Sequence, residues 1–259
     1  MFLQPEWKGF GKYVFALREN YEQELVSLEK FLSSGSVFID VGANMGVYTL
    51  VASRIVGRTG RVIAFEPSIQ SFPLLKQNIA LNDLTNVLAL PVALSHETGR
   101  ATLYHGPDPV CNSLGKHPSW HSDAEEVSTD SLDNVVKRTS LNRLDLIKID
   151  VEGAEELVLR GALKVLTSMR PVIIFEINPG ACAGFGLSPD GAWELLRSLG
   201  YNCFVHGHRE MTSGLNEPPG YFNVVAIPHN PNEKRLNQAG VEFAAVGQTT
   251  KSDHKWAAH

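Results

Sequence analysis

One segment constrains this 259-residue chain more than any other: Val37-Phe38-Ile39-Asp40-Val41-Gly42-Ala43-Asn44-Met45-Gly46-Val47-Tyr48-Thr49-Leu50. An apolar run interrupted only by Asp40 reads as a buried strand, the small residues that follow read as a turn, and helical spacing then continues through Val56. Arg61 to Phe65 supplies a second buried strand before Glu66-Pro67, which completes a βαβ unit. The alternation continues with a helix from Ser71 to Leu81, strands over Val87 to Val92 and Leu144 to Ile149, a helix over Ala154 to Leu166 and a strand over Val172 to Ile177. Strands alternating with helices predict an α/β fold whose mostly parallel sheet is covered on both faces. Ser188-Pro189 offers a cap and a first-turn proline for a further helix that ends at Gly200. Tyr201 to Val205 and Tyr221 to Ile227 close the pattern as an antiparallel edge pair.

Three regions fall outside this alternation. Apolar residues at helical spacing from Phe15 to Leu32 predict a lead-in helix within residues 1–36. Residues 37–228 form the main domain, interrupted at about 95–141 by a Pro-, His- and Ser-rich insertion with strand-like pieces over Ala101 to His105 and Glu125 to Ser128. An insertion of this kind often shapes a substrate mouth. The polar segment 229–259 reads as a loosely attached tail.

At 43% hydrophobic and 20% charged, the chain has enough apolar residues for a substantial core. Its formal charge of −5 and the lack of a long basic run argue against broad capture of nucleic acid and favour small-molecule chemistry. Cys111, Cys182 and Cys203 are widely separated and form no CxxC pair, which fits a reducing compartment and builds no zinc knuckle. With no basic-then-apolar leader at Met1-Phe2-Leu3-Gln4 and no bilayer-length apolar run, the expectation is a cytoplasmic protein without membrane insertion.

Gly42 and Gly46 let the backbone turn tightly and let a ligand approach closely, as in a nucleotide-cofactor turn. Their spacing is not GxGxxG, and Asp40 would repel a pyrophosphate seated on the helix N-terminus. An acid beside a helix start suits a ligand carrying an ammonium and a sulfonium with one carboxylate, and S-adenosylmethionine is that ligand. Glu66, 20 residues past Gly46, stands where an acid accepts hydrogen bonds from both ribose hydroxyls. The plainer alternative makes Asp40 a helix cap and Glu66 a solvated strand end.

Lys148-Ile149-Asp150-Val151-Glu152-Gly153-Ala154-Glu155 delivers Asp150 and Glu152 at the carboxyl end of a buried strand, where they are expected to face the same cleft as Asp40. Their candidate tasks are accepting a hydroxyl proton, orienting the acceptor or binding a divalent cation. Acids at a helix start, favoured by its dipole, are the bland explanation and suit Glu155 best. Glu176, closing the next strand, joins the same rim. No metal site is assigned, because an acid cluster alone is weak evidence for one. Pro118 keeps His117 and His121 off a shared helix face, His206 and His208 are conceivable bases after a strand, and Cys111-Asn112-Ser113 could line the mouth.

In order along the chain, Asp40-Val41-Gly42-Ala43-Asn44-Met45-Gly46 with Tyr48-Thr49, Phe65-Glu66-Pro67, Asn78, Ala93-Leu94-Ser95, Ser131-Leu132-Asp133, Lys148 to Glu155, Gly161-Ala162, Arg170-Pro171 and Phe175-Glu176 resemble the FkbM-type family of S-adenosylmethionine-dependent methyltransferases. The resemblance covers roughly Val37 to Asn178. It implies a class I Rossmann-like three-layer sandwich with a seven-stranded sheet of order 3-2-1-4-5-7-6, and methyl transfer to a hydroxyl of a sugar, glycolipid, oligosaccharide or natural product. Mapped onto these motifs, the cofactor set is Asp40, Gly42, Ala43, Asn44, Gly46, Tyr48, Thr49, Glu66, Pro67 and Ala93, and the catalytic set is Asp150, Glu152 and Glu176, with Asp150 the first candidate for the base. A small-molecule or glycan acceptor is the expected partner. The competing possibilities are a nicotinamide-dependent oxidoreductase, a methyltransferase-like binding domain without catalysis, and a nucleic-acid methylase.

Overall fold

Strands that are apolar on both faces need a helix layer on each side. The computed structural model, which describes residues 23–106, 111–116, 123–206, 211–212 and 222–229, has both. In chain order the first elements are α1 (Gln23–Phe31), β1 (Val37–Val41), α2 (Val47–Val56), β2 (Arg61–Phe65), α3 (Ser71–Leu81) and β3 (Val87–Leu90). β4 (Ala93–Leu94) leads into the insertion, which contributes β5 (Gly99–Tyr104), β6 (Ala124–Asp130) and α4 (Leu132–Arg138). Then come β7 (Leu146–Ile149), α5 (Glu155–Arg160), α6 (Leu163–Ser168), β8 (Val172–Ile177), α7 (Pro179–Cys182), α8 (Gly191–Ser198), β9 (Tyr201–His206), β10 (Met211–Thr212) and β11 (Phe222–Pro228).

The main sheet runs β10-β9-β11-β8-β7-β1-β2-β3. Its pairs from β8 through β3 are parallel, and β11 is antiparallel to both β8 and β9. From β3 to β9 this is the expected order, but the sheet has eight strands, because Met211–Thr212 adds a short antiparallel edge. The expected antiparallel pair forms at this end of the sheet, β9 with β11, and β11 is its inner strand as the expected order has it. Val224, Val225, Ala226 and Ile227 are all buried, so both faces of β11 are covered, and its backbone is hydrogen-bonded on both sides.

Alternation along the strands sends Phe38, Val62, Leu146, Ile174 and Val225 to the layer of α1 and α2, where they pack on Leu25, Leu28, Tyr48, Ala52 and Val56. Ile39, Ile63, Ile147, Ile173 and Val224 point the other way, onto Val135, Val158, Leu159, Trp193 and Leu196. Each fully buried side chain of this kind contributes about 1.5–3 kcal/mol of transfer free energy. The expected lead-in helix is described only from Gln23, and its Leu25, Leu28 and Leu32 are buried. The rest of it, and the tail beyond His229, lie outside the described residues.

Three expected element boundaries shift for local reasons. The strand expected over Val87 to Val92 splits at Pro91, which has no N–H for the ladder, and Ala93–Leu94 pairs instead with β6 in a small β4-β6-β5 sheet. The helix expected over Ala154 to Leu166 breaks at Gly161-Ala162, where a Cβ on Gly161 would lie 2.0 Å from the Ser95 carbonyl oxygen. The helix expected from Ser188 begins at Gly191, since the Ser188 hydroxyl turns onto the Asp190 carboxylate. Among the described residues no helix is long and apolar enough to cross a membrane.

Candidate active site

β1, β2, β7 and β8 are parallel, so their carboxyl ends share one edge. The chain leaves β1 toward β2 on one side and β7 toward β8 on the other, which puts the switch in strand order between β1 and β7, where ligands of such sheets bind. A cavity of about 290 Å³ opens there. Its floor is the turn after β1. Gly42 has φ +80°, and a Cβ on it would lie 1.9 Å from the Asp150 carbonyl oxygen, so only glycine lets the turns after β1 and β7 touch.

The turn is closed by its own hydrogen bonds. The N–H groups of Gly42 and Ala43 donate to the Phe65 carbonyl at 3.0 and 2.9 Å, and that of Gly46 donates to the Ala43 carbonyl at 2.8 Å. Asn44, at φ 50°, donates its N–H to Glu66 Oε2 at 2.8 Å, and its own Oδ1 accepts the Met45 N–H at 2.8 Å. Every amide from Gly42 to Gly46 is therefore engaged within the protein, and this turn presents no amide cradle for a pyrophosphate.

Asp40 occupies a different place from the one its motif suggests. Its carboxylate is 2% exposed, accepts the Thr49 hydroxyl at 2.5 Å, and does not line the cavity, so the expectation that it faces the cleft with Asp150 and Glu152 is corrected. Alternation points it into the α2 layer beneath the turn, and burial pushes its carboxyl up to about 6. Gly46 and Thr49 likewise stay behind the wall, whereas Gly42, Ala43, Asn44, Tyr48, Pro67 and Ala93 line it.

Glu66 is both wall and brace. It lines the cavity while its Oε2 takes the Asn44 N–H and its Oε1 takes the Ser68 N–H at 2.9 Å, tying the turn after β2 to the turn after β1. Burial pushes its carboxyl up to about 7 against those hydrogen bonds. A carboxylate oxygen has a second lone pair, so each can accept a further donor from the cavity.

The opposite rim carries Asp150, Glu152 and Glu176, whose oxygens come within 4.8 Å of one another. Glu152 has φ 52° and its Oε2 lies 3.5 Å from Asn178 Nδ2. Burial first, then the charges of Asp150 and Glu176, push its carboxyl up to about 8, so a proton held by Glu152 relieves the crowding of acids. Glu155, suited to a helix start, accepts the N–H groups of Val151 and Gly153 at 3.2 and 3.3 Å. The insertion is anchored here too, because the Ser113 hydroxyl donates to the Glu152 carbonyl at 2.7 Å.

Cys111 and Asn112 line the cavity with Leu103 and Leu114, as the mouth-forming role expected of this stretch requires; Ser113 does not. Two wall residues escape the sequence pattern. Lys148 looks like one polar interruption in a strand, yet its Nζ lies 3.1 Å from Asp150 Oδ2 and 5.0 Å from the centre of the Tyr48 ring. Asn223 reaches the wall only because β11 pairs it with Glu176, a long-range register that no local spacing reveals. His117, His121 and His208 lie outside the described residues, as does the side chain of His206.

A mostly parallel sheet between two helix layers, with acids at the carboxyl ends of its first, second, fourth and fifth main-sheet strands, defines the class I Rossmann-like methyltransferase fold. A model of the methyltransferase FkbM domain matches residues 40–203, and the chain belongs to that family. A solved methyltransferase FkbM from Methylobacillus flagellatus KT shares the fold at a TM-score of 0.51 and 14% identity, over 83% of this chain and 52% of that one. Methyltransferase sdnD from Sordaria araneosa is 31% identical over 160 residues, covering 50% of this chain and 61% of sdnD. Hexuronic acid methyltransferase AglP from Haloferax volcanii is 28% identical over 144 residues, 56% of each chain. The matched stretch thus spans little more than half the length of these curated relatives.

Proposed function

We propose that this chain transfers a methyl group from S-adenosylmethionine to a hydroxyl of a sugar, glycolipid, oligosaccharide or natural product. The observation that carries this is the chemistry of the wall. The turn after β1 has no free amide donor, while Glu66, Asp150, Glu152 and Glu176 all face the cavity, so the wall accepts hydrogen bonds and attracts positive charge. Such a wall fits a ligand with hydroxyls, an ammonium and a sulfonium, and it disfavours the pyrophosphate that an oxidoreductase of similar topology would hold.

S-adenosylmethionine, when bound, supplies a methyl group on a positively charged sulfur. Glu66 accepts the ribose hydroxyls, Gly42, Ala43 and Asn44 form the floor, and Tyr48, Pro67 and Ala93 pack the remaining surface. Asp40 and Thr49 act beneath the floor by fixing the start of α2. Transfer is an in-line displacement, so the protein contributes chiefly by holding the acceptor oxygen in line and keeping water out. Asp150 is the base that takes the hydroxyl proton, a contribution of about 10²-fold or more. Glu152 and Glu176 orient the acceptor.

The acid rim supports an acceptor that is uncharged where it reacts, and together with the net charge of −5 it speaks against nucleic acid. The name of the relative AglP supports a carbohydrate class. The three separated cysteines form no disulfide, which supports a cytoplasmic setting. The test is transfer from methyl-labelled S-adenosylmethionine to neutral glycosides, hexuronosides and RNA in parallel, with the product linkage read by mass spectrometry. Label on a neutral glycoside oxygen is the expected result. Label only on RNA, or on nitrogen, would replace this proposal.

A further inference from the structure

Among the charged residues that face the cavity, Lys148 has no part in the function proposed above. An ammonium is rarely sequestered in a sheet layer, because removal from water costs several kcal/mol unless a partner compensates. Lys148 is 1% exposed, and its ammonium lies 3.1 Å from Asp150 Oδ2 and over the face of Tyr48, 5.0 Å from the ring centre. Asp150, by contrast, keeps 40% of its side chain exposed at the rim. The pair is therefore asymmetric: a fixed, buried cation from mid-strand holds an acid that reaches the cavity. Asp40 on β1, Glu152 and Glu155 after β7, and Glu176 on β8 all add negative charge around Asp150. Without a cation, these acids would push the Asp150 carboxylate out of place.

We propose that Lys148 is a positioning residue for methyl transfer, its buried ammonium fixing one oxygen of Asp150 so that the other faces the acceptor hydroxyl. The inference rests on the function proposed above. In the step it serves, the acceptor oxygen forms a bond to the methyl carbon as the carbon–sulfur bond breaks. That electron pair stays on sulfur, leaving S-adenosylhomocysteine, and the hydroxyl proton passes to Asp150. Tyr48 shields the ammonium by its ring face, which links the start of α2 to the base.

The test compares Lys148→Met, Lys148→Arg, Asp150→Asn and the Lys148→Met/Asp150→Asn double variant with wild type. It reads kcat and KM for the acceptor, and S-adenosylmethionine affinity by calorimetry. Lys148→Met is expected to lower kcat by about 10²-fold, the scale of a misplaced reacting group, with cofactor affinity within about threefold of wild type. Lys148→Arg keeps the charge and should recover at least about tenfold of that loss. Because both residues act through one proton transfer, the double variant should turn over within about threefold of Asp150→Asn alone. Losses that multiply in the double variant, or a Lys148→Met enzyme with unchanged kcat, overturn the proposal. Should Lys148→Met fail to fold alone, the uncharged double variant still compares directly with Asp150→Asn. Wild-type affinity and turnover, measured alongside, report on the function itself; a wild type that transfers no methyl overturns both.

Discussion

Two turns meet at the switch point and treat their polar groups in opposite ways. The turn after β1, Gly42 to Gly46, engages each of its amides within the protein. The turn after β7 places Asp150 and Glu152 at the cavity and crowds them against Glu176. The first is a closed floor that sets shape. The second crowds acids in a partly dry setting with only the Lys148 ammonium against them, an arrangement that costs stability and typifies functional sites. The contrast assigns binding geometry to one turn and proton chemistry to the other.

The largest effect expected from breaking this division comes from Gly42→Ala. A Cβ 1.9 Å from the Asp150 carbonyl oxygen, at φ +80°, forces the two turns apart. A loss of about 3 kcal/mol or more in denaturant unfolding, together with loss of cofactor binding, is expected. Next is Asp150→Asn, which should lower kcat by about 10²-fold or more while S-adenosylmethionine affinity, by calorimetry, stays within about threefold. Glu66→Gln should do the reverse, weakening cofactor affinity about tenfold while kcat at saturation changes little. If both variants change the same parameter, the floor that Glu66 braces through Asn44 and the acid rim are not separate in function.

The last effect concerns pH. The rim acid Glu152 is pushed up to about 8, Glu66 and Glu155 to about 7, and Asp40 to about 6. Unfolded carboxyls titrate near ~4. Between these limits the folded protein binds more protons than the unfolded chain, so stability falls as pH rises from about 5 to about 8. The ligand-free protein should melt at a higher temperature at pH 5.5 than at pH 8, and Glu152→Gln should flatten the upper part of that slope. An unchanged slope in this variant would show that Glu152 titrates in the folded protein as it does in the unfolded chain.

The fold was legible wherever local pattern determines structure. Phe38, Ile39, Val62 and Ile63 read as strand because a sheet covered on both faces needs apolar residues in succession, and Ser71 to Leu81 forms the helix expected of its spacing. What escaped depends on partners far along the chain. The β4-β6-β5 sheet pairs Ala93 with Thr129, and the β10 edge is two residues long. The acids of the site were legible as strand-end carboxylates, but their orientation was not. Asp40 and Asp150 look alike in sequence; one turns inward to Thr49 and the other outward beside Lys148, and only the packing of α2 against β1 and β7 separates them.

The division between a closed floor and an acid rim is met most directly by titrating the wild-type protein in a calorimeter with S-adenosylmethionine, S-adenosylhomocysteine and NAD. An acid-rich wall without an amide cradle predicts binding of the first two at one site per chain and no heat with NAD. Binding of NAD with no response to S-adenosylmethionine or S-adenosylhomocysteine would contradict it.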